Sequence, residues 1–107
     1  MKRIFAFTTA SLLAFQMQAQ SVDEGIKLYH YERYASAKQV LEPLAGTNPE
    51  ANYYLGLSDI GLEDLAAAKA VFAKNPEDFY SQAGMARVLF GEGNKAGATK
   101  LLNDLAD

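Results

Sequence analysis

Few side chains in this sequence have the types and spacing that catalysis or metal binding requires. The single histidine, His30, stands between Tyr29 and Tyr31, and the sequence contains no cysteine. Metal sites and acid–base catalysis need several convergent groups, which one imidazole without a thiolate does not supply. We therefore interpret His30 as a surface or interface side chain, and we expect neither a metal nor any other cofactor.

At three places in the sequence two acidic residues stand side by side, and such pairs could in principle contribute to a cation site. Each pair lies near the predicted start of a helix, where negative charge is favourable in any case because the helix dipole is positive there. The sequence has no EF-hand loop, phosphate-binding glycine loop or nucleophile elbow. We therefore expect this protein not to be an enzyme. The acidic pairs are Asp23-Glu24, Glu63-Asp64 and Glu77-Asp78.

Composition and charge narrow the classes of partner. Of the 107 residues, 50% are hydrophobic and 21% are charged, a balance that excludes a disordered or collagen-like chain. Thirteen Asp/Glu against ten Lys/Arg give a net charge of −3. Proteins that hold a phosphate backbone through general charge carry the opposite sign, so we expect no nucleic acid partner.

The amino terminus has the three-part layout of a secretory signal peptide. Lys2 and Arg3 precede an uncharged segment of 12 residues, 4–15, and a short polar stretch follows. A membrane-spanning helix needs about 20 residues, so this segment is too short to anchor the chain. We predict a signal peptide over 1–19, cleaved between Ala19 and Gln20. The alternative, an amphipathic first helix, fits less well because 1–20 contain no acid and no polar stripe.

Cleavage would leave an acidic chain outside the cytoplasm. The remaining 88 residues carry eight Lys/Arg and 13 Asp/Glu, a net charge of −5. An export signal implies a periplasmic or secreted location. Anionic membrane surfaces repel such a chain, and we expect no membrane insertion after cleavage.

Residues 20–107 repeat one pattern three times. In each copy a small residue is followed 12 positions later by alanine and, four positions after that, by a large apolar residue. The copies are offset by 31 and 30 residues, which indicates a stack of similar units at about 22–47, 48–75 and 76–107. The small residues and alanines are Gly25 and Ala37, Gly56 and Ala68, and Ala86 and Ala98; the large residues are Leu41, Phe72 and Leu102.

Apolar residues at helical spacing within each unit predict an all-α fold of about six helices. Breaks are expected at Gly61 and over 91–93, and Pro43 should kink or end the second helix. Two Asn-Pro-Glu tripeptides, 48–50 and 75–77, suit helix starts because Asn caps and Pro is tolerated at the first helical position. The predicted helices are 22–31, 34–45, 50–60, 64–74, 77–90 and 95–106.

The small residues indicate tight pairs of antiparallel helices. Two helices approach closely only where Gly or Ala occupies their crossing, and a large side chain one turn away then fills the groove beside it. We expect each pair of small residues to mark such a crossing. Glycine within a helix costs up to about 1 kcal/mol relative to alanine, so we expect Gly56 to lie where nothing larger fits.

This pattern resembles the tetratricopeptide repeat family, whose unit is a helix–turn–helix of nominally 34 residues. The resemblance covers about 21–106 and implies a helical-hairpin α-solenoid. Asn52 and Gln82 stand where the family has a bulky aromatic, so the copies are degenerate. Other helical-hairpin repeats share this spacing and stay an alternative. The matching residues are Gly25, Ala37, Leu41 and Pro49, then Leu55, Gly56, Ala68 and Phe72, then Ala86, Gly93, Ala98 and Leu102.

The resemblance implies a binding surface for another protein or peptide segment. In such a stack the first helices of the units line a concave groove. We therefore expect an exported, non-catalytic interaction module or scaffold of the bacterial cell envelope. Tyr, Phe and Arg are enriched at interface centres, and Arg87 suits two-pronged binding of a carboxylate. The predicted groove residues are Tyr29, His30, Tyr53, Leu57, Ile60, Tyr80, Arg87 and Phe90.

Two alternatives stay open at this point. The first alternative is that some of the predicted groove residues pack between helices and bind no partner, because aromatic residues at helical spacing also occur in cores. The second alternative is that the chain is an accessory or N-terminal piece of a larger envelope assembly. In that case it would self-associate through its third unit, where Leu101, Leu102 and Leu105 precede no polar capping helix.

Overall fold

A computed structural model of the chain describes residues 19–107. Within this range the chain forms six α-helices, one short 3-10 helix and no strand, so the predicted all-α class is confirmed. Consecutive helices from α2 onwards pack on each other, and α3 also packs on α5. The helices are α1 over 19–30, α2 (Tyr34–Leu41), α3 (Pro49–Gly61), α4 (Leu65–Ala73), α5 (Phe79–Gly91) and α6 (Lys95–Ala106).

The predicted signal peptide lies outside the described residues except for its last residue. Ala19 and Gln20, which flank the predicted cleavage site, are already helical, so the predicted helix start at 22 is wrong. None of the helices found over 19–107 is both long and apolar enough to cross a membrane.

The two Asn-Pro-Glu tripeptides behave differently. The first starts α3 as predicted: the Asn48 side chain accepts a hydrogen bond of 3.0 Å from the Ala51 N–H. The second precedes α5 as a turn, and the predicted start at 77 is wrong by two residues. Asp78 caps α5 instead, since its carboxylate accepts from the Ser81 N–H at 3.1 Å. The Asn75 carbonyl oxygen accepts from the Asp78 N–H and closes the turn before the helix.

Proline ends the second helix early, as predicted. The α-helix stops at Leu41 rather than at residue 45, and the 3-10 helix Glu42–Leu44 follows. Pro43 has no N–H to continue the α-helical ladder, and its ring crowds the carbonyl group of Gln39. The predicted extent to 45 is therefore wrong, although the reason for the break was foreseen.

The turn inside each unit places a left-handed residue at the same repeat position. These residues are Glu32, Glu63 and Gly93, with φ angles of 62°, 63° and 86°. In each turn the next N–H donates to the carbonyl oxygen five residues earlier, which closes the end of the preceding helix. The three hydrogen bonds run from Arg33 to Leu28 (2.9 Å), from Asp64 to Asp59 (2.9 Å) and from Asn94 to Leu89 (2.8 Å).

Glycines at the ends of α3 and α5 serve packing rather than the turn. The predicted break at Gly61 is wrong, because Gly61 is the last residue of α3 and a side chain there would overlap the Tyr34 ring. Gly91 ends α5 and lies against Leu65 in the same way. These contacts join one unit to the next at repeat-equivalent positions.

The predicted crossings are occupied as expected in units one and two; in unit three Ala86 and Ala98 are buried, but Leu102, the expected large residue, is 45% exposed. Ala37, Ala68 and Ala98 have no exposed surface. A side chain on Gly25 would overlap Leu41, and one on Gly56 would overlap Phe72. Phe72 also lies against Gly84 of α5, so this one ring joins unit two to unit three. The core is therefore built from large side chains seated on glycine.

Candidate functional site

A row of aromatic rings crosses the first helices of the three units. Tyr29 and His30 of α1 contact Tyr54 of α3, with ring centroids 5.4 and 5.8 Å apart. Tyr54 neighbours Tyr53, whose ring centroid is 5.4 Å from that of Tyr80 in α5. We call this row the aromatic ladder; its members are Tyr29, His30, Tyr34, Tyr53, Tyr54, Phe79 and Tyr80.

The aromatic ladder both holds the helices together and faces solvent. Tyr54 meets Tyr29 and His30 edge to face, a geometry that contributes about 0.5–1.5 kcal/mol per pair beyond buried area. Phe79 and Tyr80 are nevertheless 62% and 42% exposed. The remaining tyrosines of the ladder are half-buried. Its outer edge therefore offers aromatic surface to another molecule.

A groove of about 580 Å³ lies beside the aromatic ladder, between α3 and α5. Arg87 is exposed in it, and Phe90 is 50% exposed. Neither of the two salt bridges found over 19–107 includes Arg87. We call this the Arg87 groove; it is lined by Tyr53, Ile60, Ala83, Ala86, Arg87, Phe90 and Leu102.

The structure brings most of the predicted groove residues together. Four of them line the Arg87 groove: Tyr53, Ile60, Arg87 and Phe90. Three others, Tyr29, His30 and Tyr80, belong to the aromatic ladder. The eighth, Leu57, is 4% exposed and packs in the core, so it offers no surface to a partner.

Sequence reasoning missed three members of the aromatic ladder. Tyr54 directly follows Tyr53, and neither a motif nor the groove positions implied by the resemblance marked it. Phe79 stands at the first position of α5, where no repeat position marked it. Tyr34 stands at the first position of α2, and its repeat equivalent Leu65 was the available signal.

Acidic side chains influence the tyrosines of the aromatic ladder. Burial raises the pKa of Tyr54, and the carboxylate of Glu50, one turn earlier in α3, raises it further. Burial and the neighbouring Glu32 likewise raise the pKa of Tyr34. Both phenols are therefore neutral well above pH 7 and present uncharged aromatic surface beside acidic neighbours.

The acidic pairs that were compared with a cation site lie at helix starts or within a helix. Asp64 and Asp78 cap α4 and α5 through hydrogen bonds to backbone N–H groups. Asp23-Glu24 lies inside α1 rather than at a described helix start. Over 19–107 no three His, Asp or Glu side chains are grouped so that they could hold a metal ion.

Two further clefts lie between the second helices of the units, at repeat-equivalent positions. The first cleft, of about 480 Å³, lies between α2, α3 and α4. The second cleft, of about 450 Å³, lies between α4, α5 and α6. Asn52, Leu55 and Val71 of the first correspond to Gln82, Met85 and Leu101 of the second, each 30 residues later.

The first cleft contains an ion pair that the sequence did not indicate. The Asp59 carboxylate is 1% exposed and lies 2.9 Å from Nζ of Lys38, whose side chain is 35% exposed. This pairing raises the pKa of Lys38. Nearby, the buried Asn52 amide donates to the Val71 carbonyl oxygen at 3.3 Å.

No family model, curated protein or solved structure matches this chain. The site is therefore interpreted from its own geometry.

Proposed function

We propose that this chain is a non-catalytic protein–protein interaction module that binds a segment of another protein on the face of α1, α3 and α5. The observation that carries the proposal is the aromatic ladder, which crosses three helices and continues into the Arg87 groove. Interface centres are enriched in Tyr, Phe and Arg. The ladder and the groove supply these types together, with exposed area on Tyr80 and Phe90 and an exposed guanidinium on Arg87.

The arrangement also supports a tetratricopeptide-like array as part of this proposal. The 31- and 30-residue offsets in the sequence recur as equivalent glycine contacts, Tyr34 on Gly61 and Leu65 on Gly91. Stacked hairpins of this kind place their first helices side by side and so present a continuous face.

Export to the bacterial cell envelope is the second part of the proposal. It rests on the cations, apolar segment and polar stretch of 1–19. Mass spectrometry of the protein from cells tests it: a mature chain that begins at or within two residues of Gln20 supports export. A chain that keeps Lys2 and Arg3 in the cytoplasmic fraction contradicts it.

Affinity capture from a cell-envelope extract tests the binding function. We expect a specific partner to be retained by the unchanged protein and lost with the double variant Tyr80→Ala/Phe90→Ala. Removing two interface residues of this kind typically weakens binding by tenfold or more. Tyr31→Ala is the matched control, because Tyr31 is 65% exposed yet lies outside the aromatic ladder and the Arg87 groove. Equal retention by the double variant, with unchanged helicity, contradicts the proposed face.

Self-association is a second candidate, favoured by one observation. Leu102 of α6 is 45% exposed beside Phe90, so the Arg87 groove extends onto an apolar part of α6. Light scattering after size-exclusion chromatography distinguishes the two. A dimer that Leu102→Ser converts to a monomer supports self-association; a strict monomer at all concentrations contradicts it.

A further inference from the structure

One corner of the aromatic ladder combines aromatic rings with a carboxylate. The Tyr54 ring contacts both Tyr29 and Tyr53, each with a centroid separation of 5.4 Å. Glu50 precedes Tyr54 by four residues in α3, so the two side chains project from the same face of the helix. Glu50 is exposed. We call these four residues the Glu50 corner.

The chemistry of the Glu50 corner suits a cation. Lys and Arg side chains are attracted to the faces of tyrosine rings within about 6 Å of the ring centroid, and more strongly where water is displaced. A carboxylate beside the rings adds a counter-charge. Neither of the salt bridges found over 19–107 occupies Glu50. Burial raises the pKa of Tyr54, and the nearby Glu50 carboxylate raises it further.

We propose that the Glu50 corner, formed by Tyr29, Tyr53, Tyr54 and Glu50, binds a Lys or Arg side chain of the partner segment. This inference rests on the proposed function and adds the class of partner. The net charge of −5 over 20–107 favours it, since an acidic protein draws basic segments from solution. The only histidine of the sequence, His30, also contacts Tyr54 from α1, with ring centroids 5.8 Å apart.

Arg87 gives the bound segment a direction. α4 follows α3 after the short turn 62–64 and packs on both α3 and α5, so we infer that α3 and α5 run the same way. Arg87 aligns with Leu57 in the repeat, seven residues beyond Glu50, which is about 10 Å along the helix. Adjacent helix axes are about 8–10 Å apart. The Glu50 corner and Arg87 are therefore roughly 14 Å apart, a distance that about four residues of extended chain span. A carboxylate on Arg87 would thus lie about four residues from the cation.

Selection of binding peptides tests this inference. A phage-displayed library of random 12-residue peptides is panned on the full chain, and clones are kept whose binding is lost with Tyr80→Ala/Phe90→Ala. We expect these clones to be enriched in Lys or Arg, with an Asp or Glu about four residues away. Synthetic peptides of the enriched sequences are then measured against Glu50→Gln and against Asp104→Asn. Asp104 is the matched control because it lines the second cleft, away from the aromatic ladder.

The outcomes separate the inference from the proposed function. We expect Glu50→Gln to weaken binding about threefold to fivefold, as for an exposed ion pair, and Tyr29→Leu about threefold to tenfold. Asp104→Asn should leave the affinity unchanged. Ladder-dependent clones without Lys or Arg, or with affinities insensitive to Glu50→Gln, overturn the cation subsite and leave the binding face intact. If no clone depends on Tyr80 and Phe90, both proposals fail.

Discussion

The two junctions between units are built at equivalent positions with different chemistry. Both seat a large side chain on glycine: Tyr34 on Gly61 in the first, and Leu65 on Gly91 in the second. Around this shared contact, the first junction buries the charged Asp59 where the second has Leu89, 30 residues later.

The difference between the junctions distinguishes the contacts that packing of the units requires from polar contacts that occur at one junction only. Close approach of helices needs the small residues in every unit, because core packing tolerates little extra volume. A buried ion pair is not required for stability, since apolar residues of similar volume serve as well or better. The glycine contacts therefore define the repeat, and the polar groups of the first cleft are a local addition.

Filling the crossing inside unit two should have the largest effect. Gly56→Leu forces the side chain into Phe72, which packs on Gly56 within unit two and on Gly84 across the second junction. Overpacking of this kind costs about 3 kcal/mol or more, a large part of the total stability of a small domain. Urea denaturation followed by circular dichroism measures the loss. Gly46→Leu is the control, because nothing lies within 4 Å of Gly46, and it should change stability by less than about 0.5 kcal/mol.

Breaking the ion pair of the first junction should have the next largest effect. The loss of stability should depend on which of the two charged residues is removed. Lys38→Met strands the buried Asp59 carboxylate and should cost about 1–3 kcal/mol, less than a fully buried pair because Lys38 is partly exposed. Asp59→Leu leaves an ammonium that reaches water and should cost about 1 kcal/mol or less. The double variant removes both charges and should regain most of the loss, whereas Asp59→Leu alone copies the second junction, where Lys69 and Leu89 stand at these positions. Thermal melts of all three check the order; equal costs for the two single variants contradict it.

The start of α5 is tested by removing its cap. Asp78→Ala should cost about 1 kcal/mol, since the Ser81 N–H loses its acceptor. Asn75→Ala should cost less than about 0.5 kcal/mol, because the Asn75 side chain caps no helix in the structure. Chemical denaturation of both variants measures the difference. The reverse order would show that the second Asn-Pro-Glu starts the helix after all.

Exchanging serine and alanine at one pair of equivalent positions tests the effect of a single hydroxyl group on stability. Ser81 and Ala51 are equivalent and buried, but the Ser81 hydroxyl has no hydrogen-bond partner within the described part of the chain. Ser81→Ala should therefore stabilise the protein by about 0.5–1 kcal/mol. Ala51→Ser should destabilise it. A melting temperature for Ser81→Ala below that of the unchanged protein would contradict the assignment.

The smallest effect is expected from high pH. The pKa of Lys38 is raised above its ordinary value of 10.5 by Asp59, so the pair contributes fully below that pH. This contribution is lost as the pH rises through the raised value, because the folded state then gives up the proton. The stability difference between the unchanged protein and Lys38→Met should thus be constant from pH 7 to 9. It should narrow by a fraction of a kcal/mol above about pH 10.5, as expected for a partly exposed pair.

The helices and their crossings followed from the sequence because glycine within a helix is costly and signals a steric need. Gly25 and Gly56 were identified for this reason, and a side chain on either would overlap its neighbour. The left-handed turns were not identified at Glu32 and Glu63, since only Gly93 carries the residue type that marks that conformation.

The site was predictable in part. The resemblance to the tetratricopeptide repeat led to Tyr53, Tyr80 and Phe90, which lie in the aromatic ladder or the Arg87 groove. Leu57 directly follows the crossing residue Gly56 and turns inward, which a pattern of types does not reveal. From the sequence alone, Asp59 is expected to be a solvent-exposed acid, because its partner Lys38 lies on another helix.

Mapping of a bound peptide on the protein surface tests the central claim most directly. The tightest synthetic 12-residue peptide from the library is added to isotope-labelled protein, and chemical-shift changes are recorded by nuclear magnetic resonance. The aromatic ladder and the Arg87 groove predict the largest changes in α1, α3 and α5, around Tyr54, Tyr80 and Phe90. Changes confined to the two clefts on α2, α4 and α6 would contradict the claim.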